Sequence, residues 1–383
     1  STSWAQGGIA AVEGKDDNID LHIEDTLNAG DGLCNREIVD ITVREGVDRV
    51  KDLITLGVHF DASSKTKEYD LHKEGGHSRR RIFHYGDSTG WEIQRALLEK
   101  VKQEKNITLI PNANAVDLIT THKLKKELEK DNAALGMYVL LEDGEVVPFL
   151  AKKILIATGG AGKIYLYTSN PDVATGDGIA ICYRAGASVA NMEFFQFHPT
   201  CLYHPKAKTF LITEAMRGEG AILKRIDGTR FMDKYDERME LASRDVVARA
   251  IDNELKTTGD EHVLLDITHK PKEFIKEHFP KIYEECLKYG IDITRESIPV
   301  VPAAHYCCGG VVVDENGKTS IENLYVAGEA ACTGLHGSNR LASNSLLEGV
   351  VFGYRSAKNA ISLLNDNNIE ISPPQWERGR AVA

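Results

Sequence analysis

Apolar residues recur every three or four positions through residues 37–57 and again through 89–103, the spacing of an amphipathic helix with one buried face. The second stretch sets Ile93, Leu97 and Val101 four apart, and Thr89 and Glu92 have the spacing of a capping box at its start. Residues 136–148 alternate around "EDGE" and predict a hairpin, while "KKILIATGGAG" (152–162) is an unbroken apolar run closed by glycines, the signature of a buried strand. A helix is expected near 176–187, and helices at about 243–256 and 272–288 enclose the strand-like residues 262–268. Further on, 309–318 read as a hairpin, 321–331 ("IENLYVAGEAA") as a second buried strand ending in glycine, and 345–364 as a strongly apolar helix.

Strands alternate with helices on both flanks of a stretch, 190–300, that is richer in aromatics and prolines. This order predicts one α/β domain interrupted by a smaller one. A chain of 383 residues also exceeds the roughly 250–300 at which a single core stops growing. The expected division is 1–190, 191–306 and 307–383, the outer two forming one domain.

A net charge of −11 argues against a nucleic-acid surface, which needs dense cation to displace counterions from phosphates. No run approaches the roughly 18 apolar residues that span a bilayer, so no membrane span is expected and the chain reads as soluble. Seven cysteines without a CxxC pair read as reduced thiols of a cytoplasmic protein. With no HExxH and no Cys/His ligand spacing, no metal is expected. The chain starts at Ser1 without methionine and reads as a fragment.

"ATGG" and "VAGE" put glycines at the carboxyl ends of strands, where open α/β sheets admit nucleotides. Glu329 after the second is either an acceptor for a ribose or polyol hydroxyl or an exposed loop carboxylate, and Asp177 in "TGDG" has the same two readings. Small polar residues 337–345 run into the 345–364 helix, whose free N–H groups would stabilise negative charge unless a Ser or Asn side chain caps them. No G-x-G-x-x-G follows any strand. His198 in "FFQFHPT" and His305 in "PAAHYCCGG" fit either a core role or a site. On a helix starting near Ser243, Arg244 shares a face with Ala248, Ile251 and Leu255, whereas Arg249 can pair with Asp245. An inward guanidinium requires an anion, either an internal carboxylate or a ligand. Arg340 poses the same requirement, and such a set suits a small dicarboxylate.

Eleven motifs in order, "AQGGIA" (5–10), "EGGHSRRRI" (74–82), "ATGG", "TGDG", "QFHPT", "TEAMRGEGA", "DGTRFM", "SRDVVARAI", "HYCCGG", "NLYVAGE" and "HGSNRLASNSLLE", resemble the succinate dehydrogenase and fumarate reductase flavoprotein family. Within it the chain is most similar to the branch that oxidises L-aspartate. The resemblance implies an FAD-binding Rossmann-like α/β domain interrupted by an α+β capping domain, with substrate held between them. It places substrate contacts at Gln196, His198, Thr213, Arg217, His305 and Arg340, and proton transfer at Arg244 beside Glu214. FAD contacts are expected from Ser1, Thr2, Ala5, Gln6, Gly7, Gly8, Ala115, Val116, Asp177, Glu329, Ser345 and Leu346. The family's covalent flavin histidine corresponds to Ser1, so the FAD is expected to be non-covalent. Glu74, in "HKEGGHSRRR", matches the acid that orients the amine of aspartate; a dicarboxylate lacking an amine gives such an acid nothing to bind. The arginines after it receive no role.

The resemblance further implies oxidation of L-aspartate to iminoaspartate, with oxygen or fumarate as acceptor. It also implies a place in NAD biosynthesis in the cytoplasm and a handover to quinolinate synthase. Two alternatives stay open. One is a soluble fumarate reductase. The other is an inactive fragment, because the family's first strand, with its glycine fingerprint, would precede Ser1 and its carboxyl-terminal helical region would follow Ala383.

Overall fold

The computed structural model describes residues 2–63, 68–125, 131–207, 210–364 and 371–376. Its first half contains β1 (Ile9–Ala10), α1 (Ile19–Ala29), α2 (Arg36–Thr55), β2 (Ile82–Phe83), α3 (Thr89–Gln103), β3 (Asn114–Thr120), α4 (Thr121–Lys125), β4 (Ala134–Leu140), β5 (Val146–Leu150), β6 (Ile154–Ile156), α5 (Asp177–Arg184) and β7 (Val189–Ala190). Then come β8 (Phe195–Leu202), α6 (Glu214–Gly218), β9 (Ile222–Lys224), α7 (Arg244–Thr258), β10 (Val263–Asp266), α8 (Lys272–His278), α9 (Pro280–Lys288) and β11 (Ile298–Cys307). The chain returns through β12 (Gly310–Val312), β13 (Leu324–Val326), β14 (Ala331–Cys332) and α10 (Asn344–Ser362).

The two buried-strand runs prove to be partners. β6 and β13 pair in parallel, Leu324 opposite Ile154 and Val326 opposite Ile156, so "ATGG" and "VAGE" leave the sheet side by side. The expected 136–148 hairpin forms as β4 and β5, with β3 added on the far edge of β4. The hairpin expected over 309–318 does not form as such. β12 instead lies between β14, parallel, and β7, antiparallel, and only an isolated bridge ties Lys318 to Tyr325. Gly310 and Val311 are buried between these distant strands, which outweighs the local turn at Asp314–Gly317.

Two apolar cores result. One draws on Ile9 to Ala187 and Val311 to Phe352; the other lies between Leu202 and Val300, around the antiparallel sheet β8-β11-β10-β9. In the first, Gly46 of α2 lets α10 close in: a Cβ there would stand 2.5 Å from Leu347 Cδ1. That contact fixes where α10 begins, and α10 begins at the site.

Two local expectations give way to tertiary contacts. At α3 the N-cap is Ser88, without a side-chain cap bond, and Thr89 Oγ1 instead accepts from the Tyr85 N–H at 3.0 Å. Glu92 turns inward, bonded by Arg95 Nη2 at 2.6 Å and the His59 N–H at 2.9 Å, and these donors outweigh burial and hold its carboxyl down at about 2. The helix expected over 272–288 breaks into α8 and α9, because Pro280 has no N–H to continue α8 and suits a first turn. No helix among the described residues is long and apolar enough to cross a membrane.

Candidate active site

A cleft of about 1220 Å³ opens between the two cores. Four arginines line it: the exposed Arg80, and three on later elements, Arg217 on α6, Arg244 as the first residue of α7, and Arg340 on the loop before α10. Arg244 does face inward, and its required anion is internal: Nε donates to Glu214 Oε2 at 2.6 Å. Arg249 pairs with Asp245 at 2.7 Å, as the helix spacing predicted. Arg217 lies 3.8 Å from the same Glu214 and donates to the Glu240 carbonyl at 2.6 Å. Burial lowers Arg244's pKa, but Glu214 and Glu74 reverse this and hold it above the ordinary value. Burial dominates at Arg340, and with Arg244 close by its pKa falls below the ordinary value.

His198 and His305 come from the paired strands β8 and β11, their rings 5.5 Å apart. The register of β11 shifts between Ala304 and Tyr306, so His305 stands in a bulge, the device that re-aims a side chain within a sheet. Burial, then neighbouring cations, push both histidines well below 6.5, so both are neutral at pH 7. His198 Nδ1 accepts from the Thr200 N–H at 3.3 Å, which leaves Nε2 as the proton-bearing nitrogen. Ser169 Oγ lies 2.6 Å from His305 Nδ1.

Glu74 lines the same cleft. Its Oε2 accepts from Ser343 Oγ at 2.5 Å, and its charge reaches Arg244. His72, Lys73, Gly75 and Arg80 of its segment line the cleft with it, whereas His77 and Arg81 are scaffolding. His77 Nε2 lies 2.8 Å from the Ala342 carbonyl, and the fully buried Arg81 pairs with Asp17 at 2.8 Å and Asp25 at 2.5 Å. These bonds hold Glu74 against the loop that carries Arg340 and Ser343.

Thr213 also lines the cleft, but Gln196 does not. Its amide is occupied by the loop, with Nε2 donating to Asn339 Oδ1 and to the Arg340 carbonyl, both at 2.7 Å, while Oε1 accepts from Arg340 at 2.9 Å. Thr2, Ala5, Gln6, Gly7, Gly8, Glu329, Ser345 and Leu346 all line the cleft. Ala115, Val116 and Asp177 are not among its lining residues: the first two enter β3, where Arg184 donates to the Val116 carbonyl, and Asp177 opens α5. Ser1 lies outside the described residues.

Gly349, Gly353 and Ser343, which sequence reasoning passed over, complete the wall beside the expected Ser345. Ser345, Gly349 and Gly353 stand four apart on α10 and line the cleft; a Cβ at either glycine would meet nothing within 4 Å. The i, i+4 spacing of small residues was the available signal. Ser343, at the N-cap in a left-handed conformation with φ 59°, gives no side-chain cap bond; its hydroxyl accepts from the Gly8 N–H at 3.2 Å. Glu329 is no exposed loop carboxylate: it faces the cleft, accepts from the Cys307 N–H at 3.0 Å, and burial lifts it to about 7. A helix start without a side-chain cap, a smooth helix face and a carboxylate set for a hydroxyl fit a flat cofactor with a polyol chain.

Asp70, His72 and His84 bring ligand atoms within 4.8 Å of one another, a grouping the linear spacing hid. The two rings stack at 3.5 Å and 19°, however, so one ion cannot lie in both ring planes. Burial raises the thiols of Cys307 and Cys308 to about 12, which keeps both protonated.

The model of an FAD-binding-domain family matches residues 1–346. The chain is 55% identical over 378 residues to the L-aspartate oxidase of Acinetobacter baylyi, covering 98% of this chain and 69% of that protein. With the L-aspartate oxidase of Pseudomonas aeruginosa it shares 53% over 389 residues, covering 100% and 72%. The chain belongs to the L-aspartate oxidase family. Among solved structures it resembles an E. coli quinol fumarate reductase, with TM-score 0.86 and 31% identity, spanning 96% of this chain and 64% of that one. Mycobacterium smegmatis Sdh1 follows at TM-score 0.82 and 35% identity, spanning 95% and 63%. The family's cofactor is FAD, and the residues lining the cleft fit it.

Proposed function

We propose that the chain oxidises L-aspartate to iminoaspartate in this cleft, within two stretches of FAD-binding domain (1–190 and 307–383) and a capping domain (191–306). The observation that carries this reading is Glu74 facing a cavity lined by Arg217, Arg244, Arg340, His198 and His305, where Glu214 is already paired with Arg244 and Glu329 is bonded by the Cys307 N–H. Two carboxylates and one ammonium of the substrate match that distribution of charge.

In this reading Arg340 and His305 bind one substrate carboxylate, and His198, through its Nε2–H, binds the other with Thr213. Glu74 pairs with the ammonium and stands where the proton it sheds can be taken. Arg217 backs the Glu214 pair. Bound FAD, held non-covalently, supplies the hydride acceptor. Holding Cα against it is the work of these side chains, and fixed geometry replaces a bimolecular encounter. Arg244 stays charged throughout oxidation and anchors the substrate electrostatically. When fumarate is the acceptor, Arg244 is the proton donor, and a proton from solvent returns to it by way of the Glu214 carboxylate, which it touches at 2.6 Å.

With FAD bound, fumarate or oxygen completes the cycle, and the product enters NAD biosynthesis in the cytoplasm. Iminoaspartate hydrolyses in water, which favours direct handover to quinolinate synthase. The test is turnover of the purified yellow chain with L-aspartate against succinate: preference for aspartate supports the proposal, and preference for succinate makes the chain a soluble fumarate reductase.

A further inference from the structure

Among the cleft arginines, Arg340 has no carboxylate partner among the described residues, whereas Arg244 and Arg217 share Glu214. It is nevertheless only 5% exposed. Nη2 donates to Gln196 Oε1 at 2.9 Å, Nη1 reaches the Leu341 carbonyl at 3.4 Å, and Nε has no partner. A buried cation so sparsely bonded needs compensation. The guanidinium lies 4.7 Å from the centre of the Tyr306 ring. Tyr306 Oη donates to Glu348 Oε2 at 2.9 Å. Glu348 is fully buried, and it also accepts from Thr333 Oγ1 at 2.6 Å and lies 3.1 Å from His336 Nε2.

Resting on the reading above, we propose that Tyr306 and Glu348 are positioning residues that hold Arg340 ready for a substrate carboxylate. The physical logic is one of competition. A carboxylate placed directly on Arg340 would satisfy its charge and occupy the N–H groups that must bind substrate. An aromatic face attracts the cation without accepting an in-plane hydrogen bond, so the donor edge stays open. Glu348 fixes that ring through its hydroxyl and makes no bond to Arg340, so its charge does not occupy the guanidinium N–H groups. Three donors around Glu348 keep the arrangement rigid, so the ring cannot drift when the cleft is empty of anion.

The test uses the FAD-loaded chain with succinate, a dicarboxylate without an amine, as probe. Its dissociation constant is read from the change in the flavin spectrum, beside steady-state kinetics with L-aspartate. Tyr306→Leu should weaken succinate about tenfold and raise KM for aspartate more than it lowers kcat, the loss expected of a desolvated cation–π contact. Adding Tyr306→Leu to Arg340→Leu should cost nothing further, because both changes remove one device. Glu348→Gln and Tyr306→Phe, which keep the volume, should each weaken succinate by a smaller factor with the same split between KM and kcat.

Wild-type succinate affinity in Tyr306→Leu, or additivity with Arg340→Leu, overturns the proposal. So does a fall in thermal stability with succinate affinity intact. If Tyr306→Leu does not fold, wild-type affinity in both conservative variants overturns it just as firmly. A wild type that oxidises no aspartate would sink the functional reading, yet the succinate comparison would still decide the role of Tyr306.

Discussion

Replacing Glu74 with glutamine separates amine recognition from carboxylate recognition. The substituted amide keeps the side chain's size, and its carbonyl can still accept the bond that Ser343 Oγ makes at 2.5 Å, so the loop should hold its shape. What is lost is one charge facing the substrate ammonium. A charge-assisted hydrogen bond contributes about 1.5–3 kcal/mol, so kcat/KM for L-aspartate should fall roughly 10- to 150-fold. Fumarate carries no ammonium, and Glu74 draws on Arg244, which shares the cleft. Removing that competitor should leave KM for fumarate unchanged or lower it. The assays are aspartate oxidation with oxygen as acceptor and fumarate reduction by a chemical donor, run on the same preparation with FAD content matched. Parallel losses in both would show that Glu74 supports the fold of the site rather than the amine, and the assignment of aspartate to this pocket would fail.

Other outcomes follow from neighbouring residues. Arg81→Leu strands the carboxylates of Asp17 and Asp25 in the interior and should cost about 3–5 kcal/mol in denaturant unfolding, with Glu74 released from its place. Gly349→Leu puts a side chain where nothing lies within 4 Å, on the cleft face of α10. FAD content, read as the ratio of visible to ultraviolet absorbance, should drop, while the FAD-free chain gains about 0.5–1 kcal/mol from better helix propensity. Glu329, raised by burial to about 7, holds its proton in the folded chain at pH values where the unfolded chain has lost it. Its contribution is therefore full below the unfolded pKa and declines as pH rises towards 7. Ionised, it accepts a cofactor hydroxyl, so FAD affinity measured by titration should rise as pH passes 7, and Glu329→Gln should flatten that profile.

What could be read from the chain beforehand follows how far apart the interacting residues lie. Arg244 and its pairing neighbours Asp245 and Arg249 sit within one and a half turns of a helix, so spacing alone turned one arginine inward and the other out. The apolar runs at β6 and β13 declared themselves as buried strands, but nothing in either run says that it lies beside the other, because parallel pairing is joined by a long crossover. Gln196 looked like a substrate ligand on motif grounds; only folding shows its amide spent on Asn339 and Arg340, well over a hundred residues away. Thr89 and Glu92 had the letters of a capping box, and Arg95 with His59 claimed the glutamate instead.

The same contrast explains why the charge of the cleft was legible while its order was not. Composition permits many ways to neutralise Arg217, Arg244 and Arg340, and the fold selects an uneven one. Glu214 is shared by Arg244 and Arg217, whereas Arg340 is left to an amide, a carbonyl and a ring. Unevenness is what makes a binding site from a cation cluster. If every guanidinium had its own carboxylate, an incoming dianion would have to displace an internal ion pair and would gain little by it. Arg340, which has no carboxylate partner among the described residues and an unpartnered Nε, beside Arg244, whose partner lies at its edge, leaves a net positive pocket that an anion completes. Glu74 then sits at its margin, held by Ser343, where it meets an ammonium on the same substrate without neutralising Arg340.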